Sequence, residues 1–182
     1  MKILIFGMPR SGTSSLFNFI RLSVSSNYHS SYEPFKKTID FIWGDKCVVK
    51  TVLTDNLLFK NGETMFEHSK RIIGYFDKVI YIKRRNINET IKSMSDFQQP
   101  DLTKEVSDVV AKKNIESWNS VFDEITKDKK IFFYEDIYTD TPSEELIEIC
   151  HYLNIDLKQT LFDMYIHTNN KEFNEKKIKT II

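Results

Sequence analysis

The chain has 182 residues, 41% hydrophobic and 13% aromatic, which excludes a disordered composition and fits a single domain spanning 1–182. Lysine plus arginine and aspartate plus glutamate each total 26, so there is no basic excess with which to coat nucleic acid. Cys47 and Cys150 are too few for a disulfide framework and lack metal-ligand spacing, and no apolar run is long enough to span a membrane. The expectation is a cytoplasmic protein with no nucleic-acid and no membrane partner.

Residues 2–6 form a short apolar run closed by Gly7 and read as a buried strand. Leu16, Phe17, Phe19, Ile20 and Leu22 predict a helix over 13–23. Residues 27–32 read as extended, and 34–43 as helical with Phe35, Ile39 and Ile42 on one side. The β-branched run Val48, Val49, Thr51, Val52 predicts a second buried strand over 47–53. A helix over 63–76 leads to a third strand, 78–83, built on Val79-Ile80-Tyr81-Ile82. Asn86 followed by Glu89 signals the capped start of a helix over 86–97. A longer helix is predicted over 102–126, a fourth strand over 130–134 and a helix over 142–153 with Pro142 near its start. A further helix is read over 157–166, and the lysine-rich tail 167–182 is expected to fray.

Strands that are apolar on both faces and alternate with helices predict an α/β fold. Its three layers are a central, mostly parallel sheet with helices on both faces. In such a fold the ligand lies beyond the carboxyl ends of the strands, so the residues that follow each strand are the site candidates.

After the first strand comes Gly7-Met8-Pro9-Arg10-Ser11-Gly12-Thr13-Ser14. It matches the phosphate-loop pattern of a nucleotide-binding fold at every fixed position except the lysine, which is Thr13 here. Backbone N–H groups of such a turn, with the helix N-terminus behind them, hold a phosphate. The cation of this loop is Arg10, which leaves it poorly equipped for triphosphate hydrolysis. The chain has 21 lysines and only five arginines, and three of the five are Arg10, Arg84 and Arg85. Arginine's planar donor fork suits phosphate in a way that lysine does not. The third strand ends in Lys83-Arg84-Arg85, beside a predicted helix N-terminus and eight residues before Ser93, a second anion-binding feature. Two separated phosphates on one ligand would use both.

Four segments in this order resemble the sulfotransferases that use 3′-phosphoadenosine 5′-phosphosulfate (PAPS). Gly7 to Ser14 is similar to that family's 5′-phosphosulfate loop. Val49-Lys50-Thr51 through Leu57-Leu58 is similar to its lysine-bearing second strand, and Tyr81 to Asn86 with Ser93 to its 3′-phosphate motif. Phe132-Phe133-Tyr134-Glu135-Asp136-Ile137 is similar to its Tyr-Glu-Asp segment. The resemblance implies that Arg10, Ser11, Gly12, Thr13 and Ser14 bind the 5′-phosphosulfate. Arg85 and Ser93 would bind the 3′-phosphate, and Tyr134 would lie near the adenine or the 3′-phosphate. Lys50 would stabilise the leaving oxygen, electrostatic work of the kind that often contributes most to such reactions. The histidine base that cytosolic members carry two residues after this lysine is Val52 here. Glu33, in Tyr32-Glu33-Pro34, takes the place of the glutamate base of protein-tyrosine and some carbohydrate sulfotransferases. His29 and Asp55 are the other candidates.

The implied reaction moves a sulfuryl group from PAPS to an acceptor hydroxyl or amine on a small molecule, carbohydrate or peptide. It leaves 3′-phosphoadenosine 5′-phosphate (PAP) and needs no metal. Gln98, Gln99 and Asp101 border the expected acceptor side. The glycine-rich C-terminal segment of the family is missing, since the last glycine is Gly74. A second subunit completing the pocket, as in a homo-oligomer, is left open. The alternatives are a nucleotide or small-molecule kinase, and a catalytically inactive PAP-binding module.

Overall fold

The computed structural model describes residues 1–7, 11–32, 44–51, 67, 73–98, 104–124, 128–139 and 142–158. Five strands carry the framework: β1 (Lys2–Gly7), β2 (His29–Tyr32), β3 (Cys47–Thr51), β4 (Lys78–Lys83) and β5 (Lys129–Phe133). They form one sheet in the order β2-β3-β1-β4-β5, and every pairing is parallel. The helices are α1 (Thr13–Ser23), α2 (Ile87–Gln98), α3 (Lys104–Asp123), the single turn α4 (Tyr134–Ile137) and α5 (Glu144–Leu153). The expected helices over 34–43 and 157–166 lie outside the described residues or almost so. The one over 63–76 is described only at Glu67 and from Ile73 onward.

The sheet is apolar on both faces, and this explains its layers. Ile3, Leu4, Ile5 and Phe6 of β1 are all fully buried, because the central strand is covered on both faces. Alternation sends Ile3 and Ile5 to one face, with Val48, Ile80 and Ile82, where Leu16, Phe17, Phe19 and Ile20 of α1 and Leu146, Ile149 and Leu153 of α5 pack. Leu4 and Phe6 go to the other face, with Val49, Val79 and Tyr81, under Ile115, Val121 and Phe122 of α3. Each such side chain contributes about 1.5–3 kcal/mol by leaving water. On the α3 face the Phe6 and Tyr81 rings stack at 4.6 Å, and the Phe122 ring lies 5.0 Å from that of Tyr81. The Tyr81 hydroxyl donates to Asn119 Oδ1 at 3.2 Å, which fixes α3 over the carboxyl half of the sheet.

The helix starts follow their caps. Ser143 caps α5 by accepting from the Leu146 N–H at 3.1 Å, and Pro142 stands one residue before the cap rather than inside the helix. Asn86 caps α2: its Oδ1 accepts from the Asn88 N–H at 3.1 Å. Glu89 meets the Asn86 side-chain amide at 3.2 Å instead of reaching back to the backbone N–H, so the expected capping box is half made. No described helix is long and apolar enough to cross a membrane.

Candidate functional site

The chain leaves β1 toward β2 on one side of the sheet and leaves β4 toward β5 on the other. The carboxyl ends of β1 and β4 are adjacent, and this divergence opens the crevice in which open α/β sheets bind ligands. Three chemistry-bearing segments meet there: the turn after β1, the arginines after β4 and the Tyr-Glu-Asp turn after β5.

Both glycines of the first turn have a physical reason. A Cβ on Gly7 would stand 2.5 Å from the Ile82 carbonyl oxygen and 2.9 Å from Ser11 Oγ, so only glycine lets β1 and β4 run this close. Gly12 caps α1 in the left-handed region, at φ 79° and ψ 4°, which glycine adopts without a Cβ penalty. Its carbonyl accepts from the Leu16 N–H at 3.1 Å, while no side chain caps the first turn of α1. Ser11 and Thr13 are buried at the base of this turn, and Ser14 is partly exposed. Arg10 lies outside the described residues.

The arginines after β4 are held by acidic neighbours. The register pairs Lys83 with Phe133, so the residues that follow each strand end side by side. The Arg85 guanidinium pairs with Asp136, and its backbone N–H donates to Glu135 Oε2 at 3.1 Å. It also lies 4.3 Å from the centroid of the Phe133 ring. Arg84 pairs with Glu89 at 3.3 Å and sits 4.4 Å over the Tyr134 ring. Lys83 parts company with them: alternation turns it to the α3 face, where its amine lies 4.9 Å from the Tyr81 ring centroid. Burial lowers its pKa, opposed by the charge of Asp123.

The turn after β5 ties these features together. Tyr134 opens α4 instead of ending the strand. Its ring packs 4.5 Å from that of Tyr138, and the Tyr138 hydroxyl donates to the Gly12 carbonyl. One short segment therefore touches the phosphate-loop turn through Tyr138 and the arginines through Tyr134, Glu135 and Asp136. Sequence reasoning missed Glu135, Asp136 and Tyr138 as partners. The sequence signal was limited to charged residues following each of the two strands; that β4 and β5 end side by side comes from the register.

The remaining predicted residues are distributed as follows. Lys50 is 3% exposed near the carboxyl end of β3, in register with Ile5 and Tyr32. Alternation places it with Val48 on the α1 face of the sheet. Ser93 lies on α2, and its side chain is outside what the structure describes. Glu33, Asp55, Gln99 and Asp101 fall outside the described residues. His29 opens β2 opposite Cys47, which is itself opposite Lys2, so it sits at the amino end of the sheet. Five residues of strand rise, about 16 Å, separate that level from Gly7, which removes His29 as a base candidate.

Comparison with solved structures decides what kind of framework this is. Mouse sulfotransferase SULT7A1 in complex with PAP superposes with a TM-score of 0.60, over 97% of this chain and 67% of that one, at 18% identity. The chain has the P-loop sulfotransferase fold. No family model matches the sequence, and no curated protein does either. The sulfotransferase fold is thus carried here by strand order, register and a few turn residues rather than by overall sequence. It brings together, within one crevice, the glycine-bracketed turn and the arginine pair.

Proposed function

We propose that this protein is a PAPS-dependent sulfotransferase. The observation that carries the reading is the pairing, across adjacent strand ends, of the Gly7–Gly12 turn with Arg84 and Arg85, on a fold shared with a PAP-bound sulfotransferase. The turn suits one anionic group and the arginines a second, which matches a nucleotide phosphorylated at both its 5′ and 3′ positions.

In this reading Ser11, Gly12, Thr13 and Ser14 hold the 5′-phosphosulfate through the first N–H groups of α1 and their hydroxyls. Arg10 adds charge. Arg85 and Ser93 hold the 3′-phosphate, with Tyr134 beside the nucleoside. Lys50, brought near the mouth by β3, stabilises negative charge as it develops on the leaving phosphate oxygen. Glu33 takes the proton of the acceptor hydroxyl or amine. Its candidacy is supported by its place in the chain, next to Tyr32, the register partner of Lys50. The acceptor atom forms a bond to sulfur, the bond from sulfur to the phosphate oxygen breaks, and PAP leaves with that electron pair. The fold points to a small-molecule acceptor, and this reading keeps carbohydrate and peptide hydroxyls in scope.

Titration of PAP into the purified protein tests the first half, with ATP and magnesium as the comparison. Binding of PAP without metal is expected; ATP binding with no PAP binding would refute the reading in favour of a kinase. Labelled PAPS offered with an acceptor panel tests the second half. Glu33→Ala is expected to abolish transfer while leaving PAP affinity within about twofold. Full turnover by that variant would remove Glu33 from the role, and PAP binding with no transfer to any acceptor would favour a non-catalytic binding module.

A further inference from the structure

Tyr138 belongs to no motif that the sequence reading used, yet it is the side chain that reaches the phosphate-loop turn from across the crevice. Its hydroxyl donates to the Gly12 carbonyl, and its ring covers Gly12 so closely that a Cβ there would collide with it. The ring is held in turn by Tyr134 at 4.5 Å, and the Tyr138 backbone N–H donates to the Tyr134 carbonyl at 3.1 Å. The phenol therefore approaches Gly12 from a turn that is fixed at both its backbone and its neighbouring ring.

The consequence runs through one peptide plane. A trans peptide is planar, so the Gly12 carbonyl and the Thr13 N–H point in opposite directions and turn together. Thr13 is the first residue of α1, and its N–H is one of the donors that a helix N-terminus offers to an anion. Gly12 has no Cβ and occupies the left-handed region, so little in its own structure resists rotation of this plane. The carbonyl is instead pinned from two sides, by the Leu16 N–H and by the Tyr138 hydroxyl.

We infer that Tyr138 is a positioning residue: it locks the peptide plane between Gly12 and Thr13 and so aims the Thr13 N–H at the group borne on the 5′ side of the nucleotide. This rests on the nucleotide reading proposed above and adds a determinant that acts on one of the two phosphates only. Tyr138 does not touch the reacting atoms.

Tyr138→Phe removes the hydroxyl and keeps the ring. Losing one hydrogen bond at this plane is expected to weaken PAP and adenosine 5′-phosphate alike, by about three- to tenfold. Adenosine 3′-phosphate, which lacks the 5′ group, is expected to bind as it does to the unmodified protein. Tyr152→Phe is the matched control. It deletes a tyrosine hydroxyl that donates to the Asp128 carbonyl at 2.8 Å, at the amino end of the sheet. Any general loss of stability shows there as well, while PAP affinity is expected to hold. Calorimetric titration of the three nucleotides into the three proteins reads the result. Equal weakening of all three ligands by Tyr138→Phe would overturn the inference in favour of a structural role, and so would no weakening at all. Absence of PAP binding by the unmodified protein is a different failure: it would overturn the nucleotide reading itself and this inference with it.

Discussion

Replacing three glycines by alanine, one at a time, separates three physical effects. At Gly7 the new Cβ meets backbone, the Ile82 carbonyl oxygen at 2.5 Å, where ordinary contact begins near 3.4 Å. The carboxyl ends of β1 and β4 must therefore part by roughly 0.9 Å, and neither can swing aside as a side chain does. Overpacking of this kind costs about 1–3 kcal/mol, offset by about 0.4–1 kcal/mol from a stiffer unfolded chain, so the net loss is about 1–2 kcal/mol. At Gly12 the loss has a second source. The left-handed backbone costs alanine about 1–2 kcal/mol, and the Tyr138 ring must leave and surrender a hydrogen bond worth about 0.5–1.5 kcal/mol. Gly44 is exposed and an added Cβ there would meet nothing within 4 Å among the described residues, so alanine there is expected to gain about 0.4–1 kcal/mol. Urea unfolding with linear extrapolation ranks the three variants. A chain of this length moves by about 2–4 °C per kcal/mol, so Gly44→Ala should melt slightly above the unmodified protein. Gly7→Ala should melt a few degrees below it, and Gly12→Ala lowest. Gly7→Ala unfolding at or above the unmodified protein would refute the close approach of β1 and β4 on which the crevice depends.

Two further outcomes follow from charge and burial. Asp136 pairs with Arg85 where the 3′-phosphate is proposed to bind, so Asp136→Asn should tighten PAP by roughly fivefold at low salt, as about 1 kcal/mol of repulsion is removed. Adenosine 5′-phosphate should be unaffected. Weaker PAP binding would show instead that Asp136 orients the guanidinium. Burial pushes the thiols of Cys47 and Cys150 up to about 11, from an ordinary value of 9.0. A folded pKa above the unfolded one means stability that is complete below pH 9 and lost as pH rises from about 9 to about 11. The urea midpoint should fall over that range, and fall less in the Cys47→Ala and Cys150→Ala variants. A pH slope identical in all three proteins would contradict the assignment.

Four of the five strands were legible because a doubly covered parallel sheet writes itself as short apolar runs, and Ile3 to Phe6, Cys47 to Val49 and Val79 to Ile82 are such runs, whereas the polar β2, His29–Tyr32, read only as extended chain. The start of α1 at Gly12 and of α2 at Asn86 were legible for a local reason too, since caps are set by the residue at the boundary. Strand ends were less so: Tyr134 is aromatic and follows an apolar strand, but it turns into α4 because Tyr138 and the arginines hold it there. What the sequence could not supply was strand order. Neighbour relations in a parallel sheet depend on connections many residues long, and no local pattern states that β4 lies beside β5. The acidic partners of Arg85 were hidden for that reason alone, because Glu135 and Asp136 are about fifty residues away along the chain and adjacent in the sheet.

Strand order also gives the two proposed anion-binding features different physics. At α1 the cap is a glycine that makes no side-chain cap hydrogen bond, and the donors the proposal uses there are backbone N–H groups whose direction is set by fixed peptide planes. At α2 the Asn86 side chain already takes the Asn88 N–H, which leaves the helix end little part in holding a ligand. Binding there falls to Arg84 and Arg85, and each has a carboxylate partner in Glu89 or Asp136. An anion arriving at α1 gains oriented dipoles, whereas one arriving at the arginines exchanges places with a carboxylate in a half-exposed setting where salt screens both. On the proposed reading, the 5′ side of the crevice is therefore built for geometry and the 3′ side for exchange. The proposed transfer needs that division, because the group that reacts must be held in one orientation while the product must still be released.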